Sequence, residues 1–316
     1  MLILYNKKIA TRLAYGQALQ KLGADPDIIV LDADLSICTM SCLFRERYPE
    51  RFFNIGIAEC NMIGIAAGFA TTGKIVFANS FAMFTAGRAF DQIRNSVAYP
   101  NLNVKIIGTH AGLSVGEDGA THQCIEDIGI MRTIPGMTVI CPSDANETTA
   151  AVEAMINYNG PCYMRLGRSP VADVTNVNDY KFELGKGITL AEGNDVTIIA
   201  TGLMVQEAMA AREILEKSSI HARVIDIHTI KPLDKKIIIK AAQETGAIVT
   251  AEEHNILGGL GSAVAEVVVE NYPVPMLRVG VEDIFGRSGT AEALMERYGL
   301  TAANILYKVK KVIAKK

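Results

Sequence analysis

Apolar residues follow two alternating patterns along this chain: short uninterrupted runs, and longer stretches in which they recur at helical spacing. Uninterrupted runs of this length are typical of buried strands in parallel sheets. In the first half of the chain, the predicted strands are DIIVLDAD (27–34), KIVFANS (74–80), NVKIIGTH (103–110), MTVICP (137–142) and PCYMRLGR (161–168). The predicted helices are 7–23, 58–71, 85–98 and 123–132.

The same alternation restarts in the second half, after a polar stretch that is rich in turn residues. There the predicted strands are DVTIIAT (195–201), HARVIDI (221–227), AIVTAEE (247–253) and VPMLRVG (274–280). Two successive runs of strand and helix predict two doubly wound α/β domains with mainly parallel sheets. We assign residues 1–170 to the first domain, 171–192 to a strand-poor linker and 193–316 to the second domain.

Composition narrows the class of protein. The 316 residues are 49% apolar and carry a net charge of −3, so there is enough apolar material for two cores. Lysines cluster only in the C-terminal YKVKKVIAKK, whose spacing predicts an amphipathic last helix, and we expect no nucleic-acid binding. The six cysteines form no CxxC pair and no zinc motif with histidine, so we expect reduced thiols and no metal site in this chain.

The N-terminal MLILYNKK is too short for a signal peptide and no apolar run approaches about 20 residues, which predicts a soluble cytoplasmic protein away from membranes.

One carboxylate stands out. The stretch RFFNIGIAECNMIG (51–64) places Glu59 between an extended apolar segment and an apolar helix that contains glycine. A buried carboxylate loses its hydration, and it can then serve as a proton donor or hydrogen-bond partner at neutral pH. The alternative is an exposed glutamate in the first turn of the helix, where the helix dipole favours its negative charge. Burial of the side chain distinguishes these hypotheses.

Polar residues also cluster where the predicted strands end. Asp34, Ser80, His110 and Arg165 all lie at such ends. In parallel sheets, ligands bind beyond the carboxyl ends of the strands, so we expect a site there. The glycine-rich stretch GTHAGLSVGEDGATHQ (108–123) follows one strand, and its histidines can donate to hydroxyls or phosphate. The alternative is a surface turn with incidental histidines.

Other motifs are assigned structural roles. Asp144 and Glu147 have the spacing of a helix capping box. GGLG (258–261) lacks the spacing of a phosphate loop, and we treat it and His254 as structural. The sequence has no Walker, HExxH or GxSxG motif, and no Gly-Asp-Gly with a downstream asparagine that would hold a diphosphate-bound magnesium ion.

Eight stretches together point to one family. They are ATR (10–12), DADLS (32–36), RFFNIGIAECNM (51–62), SFAMF (80–84), RAFDQIR (88–94), VGEDGATHQ (115–123), IPGMTVICPSD (134–144) and MRLGR (164–168). On these stretches, residues 10–168 resemble the pyrimidine-binding domain of the thiamine-diphosphate enzymes of the transketolase family. Residues 195–316, with VTIIATG and AEEHNILGGLG, resemble the family's C-terminal domain. The family's N-terminal diphosphate-binding domain has no counterpart here, so the sequence resembles the C-terminal subunit of a split transketolase.

The resemblance implies an enzyme of carbohydrate metabolism and the pentose phosphate pathway. Transketolases transfer a two-carbon ketol unit from a ketose phosphate to an aldose phosphate. The implied cofactor is thiamine diphosphate, with magnesium or calcium held by an N-terminal partner subunit. The implied assembly is a 2+2 heterotetramer that self-associates through both domains, has its active sites at subunit interfaces, and leaves this chain inactive alone.

The resemblance also implies roles for individual residues. Glu59 matches the glutamate that hydrogen-bonds the aminopyrimidine ring and shares a proton with it. Phe81 and Phe84 match the aromatic residues that stack against this ring, although core packing is the alternative. Asp34 matches an acid near the cofactor.

Five further residues match substrate-binding positions. Arg12, His110 and Arg165 match positions that grip the substrate phosphate, where arginine binds well. Asp118 and His122 match residues that contact substrate hydroxyls, and both histidines are candidate catalytic residues. The alternative for these five is a surface salt bridge. Arg168 is left unassigned because the resemblance does not separate it from the linker.

Two positions depart from the family pattern. Cys38 stands where related chains have a phosphate-binding serine, and Cys60 stands where a glutamine follows the catalytic glutamate. Cysteine is a poor hydrogen-bond donor, so the donor and acceptor sugars are left open by the sequence. Ser36 and Thr39 are candidate replacements for the missing hydroxyl.

Two alternative functions are weighed. The β subunit of the first component of a 2-oxo acid dehydrogenase has the same pair of domains, but it predicts a His-Ser-Gln element in place of ATHQ (120–123). A non-catalytic homologue that only binds a partner is the other alternative. The intact set of Glu59, Phe81, His110, Asp118 and His122 argues against it.

Overall fold

The computed structural model describes residues 8–175 and 180–316. Part of the predicted linker, residues 176–179, and the first residue of the predicted helix 7–23 therefore lie outside the described residues.

The first half of the chain supplies eight strands and seven α-helices among the described residues. The strands are β1 (Lys8–Ala10), β2 (Ile28–Asp32), β3 (Phe52–Asn54), β4 (Ile75–Phe81), β5 (Val104–Thr109), β6 (Thr138–Ile140), β7 (Cys162–Arg165) and β8 (Pro170–Ala172). The helices are α1 (Thr11–Leu22), α2 (Ser36–Thr39), α3 (Cys42–Arg47), α4 (Glu59–Thr71), α5 (Phe90–Gln92), α6 (Asp127–Thr133) and α7 (Ala145–Asn157). Shorter turns are the 3₁₀ turns Pro49–Arg51 and Leu113–Val115 and the π-helical turns Met83–Arg88 and Ile93–Ala98.

The second half repeats the alternation. Its strands are β9 (Ile188–Ala191), β10 (Val196–Ala200), β11 (Ala222–Asp226), β12 (Thr229–Lys231), β13 (Ile248–Asn255) and β14 (Met276–Val281). Its helices are α8 (Met204–Glu216), α9 (Lys235–Thr245), α10 (Leu260–Asn271), α11 (Ala291–Arg297) and α12 (Ala302–Ile313).

Two mainly parallel sheets form the two domains, as the sequence predicts. The first has seven strands in the order β12-β6-β7-β5-β4-β2-β3, and the second has five in the order β14-β13-β10-β11-β9. Within these two sheets, as far as the structure describes them, only the edge strands β12 and β9 run antiparallel to their neighbours. Every residue of β2, β5, β7 and β10 is buried, which explains why these strands are continuous apolar runs: helices cover both faces of each sheet.

Three apolar layers separate and cover the sheets. One contains α1 and α7 on the outer face of the first sheet, and another contains α8 and α12 on the outer face of the second. The middle layer combines α4 and α6 of the first domain with α9 and α10 of the second. The domains therefore share a continuous core, which fixes the second domain against the loops of the first.

The predicted linker is not free of strands. β8 ends just inside it, at Ala172, and pairs with β1. β9 lies wholly within it and joins the second sheet. The sequence pattern does not reveal β9, because its apolar residues Ile188 and Leu190 stand among polar residues and glycines. β12 is a second departure, because this strand follows β11 of the second sheet but pairs with β6 of the first.

The predictions for one helix cap and for the bounds of two helices have different outcomes. The capping prediction at α7 is confirmed, since the Asp144 side chain accepts a hydrogen bond from the Glu147 backbone N–H. The predicted helix 123–132 begins only at Asp127, because the Gln123 side chain donates to backbone carbonyls of the glycine-rich loop. The predicted helix 85–98 consists of α5 between two π-helical turns.

Candidate active site

Glu59 is the first residue of α4, directly beyond the carboxyl end of β3, and only 1% of it is exposed. The alternative of a glutamate facing water is therefore wrong. The carboxylate is not surrounded by apolar groups alone. Its Oε1 accepts a hydrogen bond from the Ser80 hydroxyl at 3.2 Å, and its Oε2 forms an ion pair with Arg88 Nη1 at 2.7 Å.

Arg88 also lies over an aromatic ring. Its guanidinium carbon is 4.7 Å from the centre of the Phe84 ring, and Phe84 stacks on Phe81 with 6.0 Å between ring centres. Phe84 and Arg88 both belong to the π-helical turn Met83–Arg88, a distortion that is frequent at functional sites. The Arg88 guanidinium is therefore a planar cation that donates a hydrogen bond to Glu59 and lies over the Phe84 ring.

Two histidines complete this cluster. The His110 ring stacks on Phe81 with 3.9 Å between centres, and His122 meets the Phe84 ring edge-on at 5.3 Å. Burial, followed by the positive charges of Arg12 and Arg168, lowers the pKa of His110 to about 3. His110 is therefore neutral at physiological pH, and each of its ring nitrogens is able to donate or accept a hydrogen bond according to the tautomer.

Strained backbone marks the same edge of the sheet. Asp34 and His110 follow β2 and β5, and both adopt left-handed conformations, with φ of 66° and 55°. Such conformations are costly for residues other than glycine and cluster at functional sites. Asp34 is exposed and accepts a hydrogen bond from Asn54 Nδ2 at 2.7 Å.

Arg165 and Arg168 lie at and just after the end of β7, and their surroundings differ from the prediction that Arg165 binds the substrate phosphate. Arg165 is only 6% exposed, and it forms a buried ion pair with Asp127 at 2.9 Å. Its guanidinium also donates to the backbone carbonyl of Glu253 at 2.7 Å, so it does not reach the site. Arg168, which sequence reasoning left out, is 38% exposed and lies beside Asp118, 4.0 Å away. The only signal in the sequence was a second arginine in MRLGR.

Arg12 approaches Arg168 from α1. Its Nη1 donates to the carbonyl of Cys38 at 2.6 Å, and the charge of Arg168 contributes, after burial, to lowering the pKa of Arg12. Arg12, Arg168 and His110 therefore form one positively polarised region. Asp118 lies at its rim, and His122 faces the aromatic pair.

The short helix α2, which carries Cys38, and the residues around it are held by a buried carboxylate. Asp32 accepts hydrogen bonds from the hydroxyls of Thr39 and Ser41 and from the Leu35 backbone N–H. Burial raises the pKa of Asp32 to about 6. Thr39 is fully buried and committed to Asp32, so it is not available to replace the missing serine at Cys38.

Two findings apply to the described part of the chain. Within residues 8–175 and 180–316, no group of three or more His, Cys, Asp or Glu side chains is arranged to hold a metal ion. None of the helices over those ranges is long and apolar enough to cross a membrane.

Comparison with known proteins identifies relatives of both domains. A model of the transketolase pyrimidine-binding domain matches residues 7–172, and a model of the transketolase C-terminal domain matches residues 185–305. A 6-deoxy-6-sulfo-D-fructose transketolase subunit from a Clostridium species is 46% identical over 292 residues, which are 92% of this chain and 90% of that protein. Rat transketolase (Rattus norvegicus) is 42% identical over 312 residues, which are 98% of this chain but 50% of the rat protein.

A solved structure is similar over almost its whole length. It is described as a split gene transketolase, inactive beta4 tetramer, and it is 51% identical to this chain. The two superpose with a TM-score of 0.89, covering 98% of this chain and 99% of the other.

Proposed function

The chain belongs to the transketolase family, and from that premise we propose that it is the C-terminal subunit of a split, thiamine-diphosphate-dependent transketolase. In this proposal the enzyme transfers a two-carbon ketol unit between sugar phosphates and needs an N-terminal subunit for activity. The observation that carries the proposal is the set of contacts around Glu59. The buried carboxylate, the stacked phenylalanines and the two histidines lie together at one edge of the first sheet.

The residues around Glu59 fit the aminopyrimidine ring of thiamine diphosphate. That ring is planar, carries hydrogen-bonding nitrogens and stacks on aromatic side chains. The Arg88 guanidinium is also planar and hydrogen-bonding, although it only donates hydrogen bonds, and it pairs with Glu59 Oε2 and lies over Phe84. The guanidinium therefore acts as a stand-in for the ring, and Glu59, Phe81 and Phe84 would hold the ring itself.

Each residue then has a physical task. When bound, the cofactor supplies the electron sink at which the carbon–carbon bond of the ketose is broken and remade. Glu59 holds a hydrogen-bonded proton at the ring, and its burial excludes water from competing for that proton. Phe81 and Phe84 fix the plane of the ring by stacking. His110, kept neutral by burial and its cationic neighbours, would donate a hydrogen bond to the substrate phosphate, and His122 would contact substrate hydroxyls.

The arginines suit the phosphate end of the substrate. The charges of Arg12 and Arg168 both act on His110, and in the described residues neither arginine pairs with a buried carboxylate. Guanidinium groups bind phosphate oxygens through paired, charge-assisted hydrogen bonds. Asp118, exposed beside Arg168, is placed to accept a hydrogen bond from a substrate hydroxyl.

The rim of the site supports an interface with a partner subunit. Ile37 and Ile57 follow the neighbouring strands β2 and β3, and they are 72% and 78% exposed. Large exposed apolar side chains around a site often mark a surface that another protein covers. We assign this surface to the N-terminal subunit, which would supply the diphosphate and metal site in a 2+2 assembly. The related tetramer made of one kind of chain is described as inactive, which agrees with this division of labour.

Substitution of Glu59 tests the proposal. Glu59→Gln keeps the shape but cannot exchange a proton in the same way, so turnover of the reconstituted enzyme should fall by about 10²- to 10⁴-fold. Circular dichroism and melting temperature should stay unchanged, and the exposed Glu50→Gln serves as the matched control. Wild-type turnover in the Glu59→Gln enzyme would remove the proposed role.

A further inference from the structure

Two adjacent glutamates at the end of β13 point in opposite directions, although both are buried. Glu252 binds its own domain: its carboxylate accepts hydrogen bonds from the backbone N–H groups of Leu260 and Gly261, each at 2.7 Å. These groups lie in the first turn of α10. Glu252 therefore caps a helix of the second domain and has no contact of this kind with the first domain.

Glu253 instead reaches into the first domain. Its Oε1 accepts a hydrogen bond from the backbone N–H of Ser114 at 2.5 Å, across 139 residues of sequence. Ser114 lies in the glycine-rich segment 111–123, which we call the glycine loop. The loop begins directly after His110 and contains Asp118 and His122, so Glu253 holds the backbone that carries the proposed substrate contacts.

The glycine loop is shaped to admit this carboxylate. Gly112 adopts a left-handed conformation with φ of 81°, and a Cβ atom on it would collide with the Glu253 carboxyl group. The residues after Glu253 continue the contact. His254 Nε2 accepts a hydrogen bond from the Gly129 N–H at 3.2 Å, and the Asn255 N–H donates to the Ile125 carbonyl at 2.8 Å.

A second segment of the same domain holds the loop from the other side. Gln123 Nε2 donates to the carbonyl of Arg287 at 2.8 Å and to the carbonyl of Gly116 at 3.0 Å. A Cβ atom on Gly119 would lie 2.6 Å from the Ser288 hydroxyl, so the loop also packs closely against this segment. Both ends of the glycine loop are thus fixed by the second domain.

We propose that Glu253 is a positioning residue: through its hydrogen bond to Ser114, the C-terminal domain sets the conformation of the glycine loop and so the affinity for substrate. The effect on substrate affinity rests on the proposed function, whereas the effect on the loop does not. Among the described residues, no hydrogen bond joins the Glu253 side chain to the cofactor-binding residues or the two histidines, so it acts on the site through the glycine loop.

Three conservative variants distinguish the effect of side-chain length from the effect of charge. Glu253→Asp keeps the charge but shortens the side chain, so it should lose the bond to Ser114. Glu253→Gln keeps the length and an acceptor oxygen, so it should retain the bond. Glu252→Asp is the matched control, since it shortens the adjacent buried carboxylate, which binds α10 instead.

Hydrogen exchange of the isolated chain gives the first readout. Amide exchange in peptides covering 112–122 should rise about tenfold or more in Glu253→Asp, stay close to wild type in Glu253→Gln, and stay unchanged in Glu252→Asp. In the reconstituted enzyme, Glu253→Asp should raise KM for the sugar phosphates about tenfold with a smaller change in kcat, and Glu253→Gln should restore KM.

Unchanged exchange in Glu253→Asp, or an equal rise in Glu252→Asp, would overturn the positioning role. This failure is distinct from failure of the proposed function. If the loop loosens as expected but the wild-type mixture transfers no ketol unit, the function is wrong and the role of Glu253 in ordering the loop stands.

Discussion

Replacing Arg165 by methionine should severely destabilise the protein, whereas the same change at Arg168 should cost much less stability. Both arginines belong to the stretch MRLGR, but their surroundings differ. Arg165 Nε donates to both oxygens of Asp127, at 2.9 and 3.2 Å, in a fully buried ion pair. Arg168 forms an exposed pair with Glu117 across 3.4 Å.

The magnitude follows from what each substitution leaves behind. Methionine fills much of the volume of Arg165, but it leaves the Asp127 carboxylate buried. Among residues 8–175 and 180–316, the side-chain donor that then remains to Asp127 is the Tyr163 hydroxyl, 2.8 Å away. Breaking a buried pair by removing one partner costs about 3–5 kcal/mol. An exposed pair contributes about 0–1 kcal/mol. Arg168 also donates a hydrogen bond to the Val115 carbonyl, which contributes about 0.5–1.5 kcal/mol. Arg168→Met should therefore lose at most about 2.5 kcal/mol.

Thermal and urea unfolding of the isolated chain at pH 7 measure this difference. At about 2–4 °C per kcal/mol, Arg165→Met should lower the melting temperature by about 6–20 °C, with Arg168→Met as the matched control. A melting temperature for Arg165→Met within about 2 °C of wild type would refute the reasoning, because the ion pair would then contribute nothing. An equal loss in both variants would also refute it.

Two further predictions concern substrate binding and pH. In the reconstituted enzyme, Arg168→Met should raise KM for sugar phosphates by about 10- to 100-fold, because a charge-assisted phosphate contact is lost, and an unchanged KM would exclude Arg168 from the site. Burial, followed by the negative charge of Glu147, raises the pKa of Asp226 in the folded protein. The folded protein therefore loses stability as the pH rises above about 3.9, which is the pKa of this carboxyl in the unfolded chain. Asp226→Asn should therefore melt higher than wild type at pH 8 but not near pH 4, and a gain that does not depend on pH would contradict this.

The sequence predicts the sheets and the burial of Glu59 well for identifiable reasons. Strands that are buried on both faces leave continuous apolar runs, and those runs are local. Glu59 was recognisable because a single carboxylate interrupts a long apolar stretch in a family motif. Its ion pair with Arg88 was not predictable, because it depends on the π-helical turn that brings Arg88 back over Phe84.

Long-range contacts explain the errors. β12 joins the sheet of the other domain, and neither its sequence nor its neighbours encode that pairing locally. The burial of Arg165 was not predictable from the sequence, because its ion-pair partner, Asp127, lies 38 residues away. The same holds for Glu253, whose contact with Ser114 depends on how the two domains pack.

The most direct test of the account is ketol transfer from xylulose 5-phosphate to ribose 5-phosphate with thiamine diphosphate and magnesium. The chain is assayed alone and then mixed with an N-terminal transketolase subunit. We expect no transfer by the chain alone and transfer by the mixture. Transfer by the isolated chain would contradict the division of the active site between two subunits, and a mixture that binds the cofactor but transfers no ketol unit would contradict the proposed reaction with these sugars.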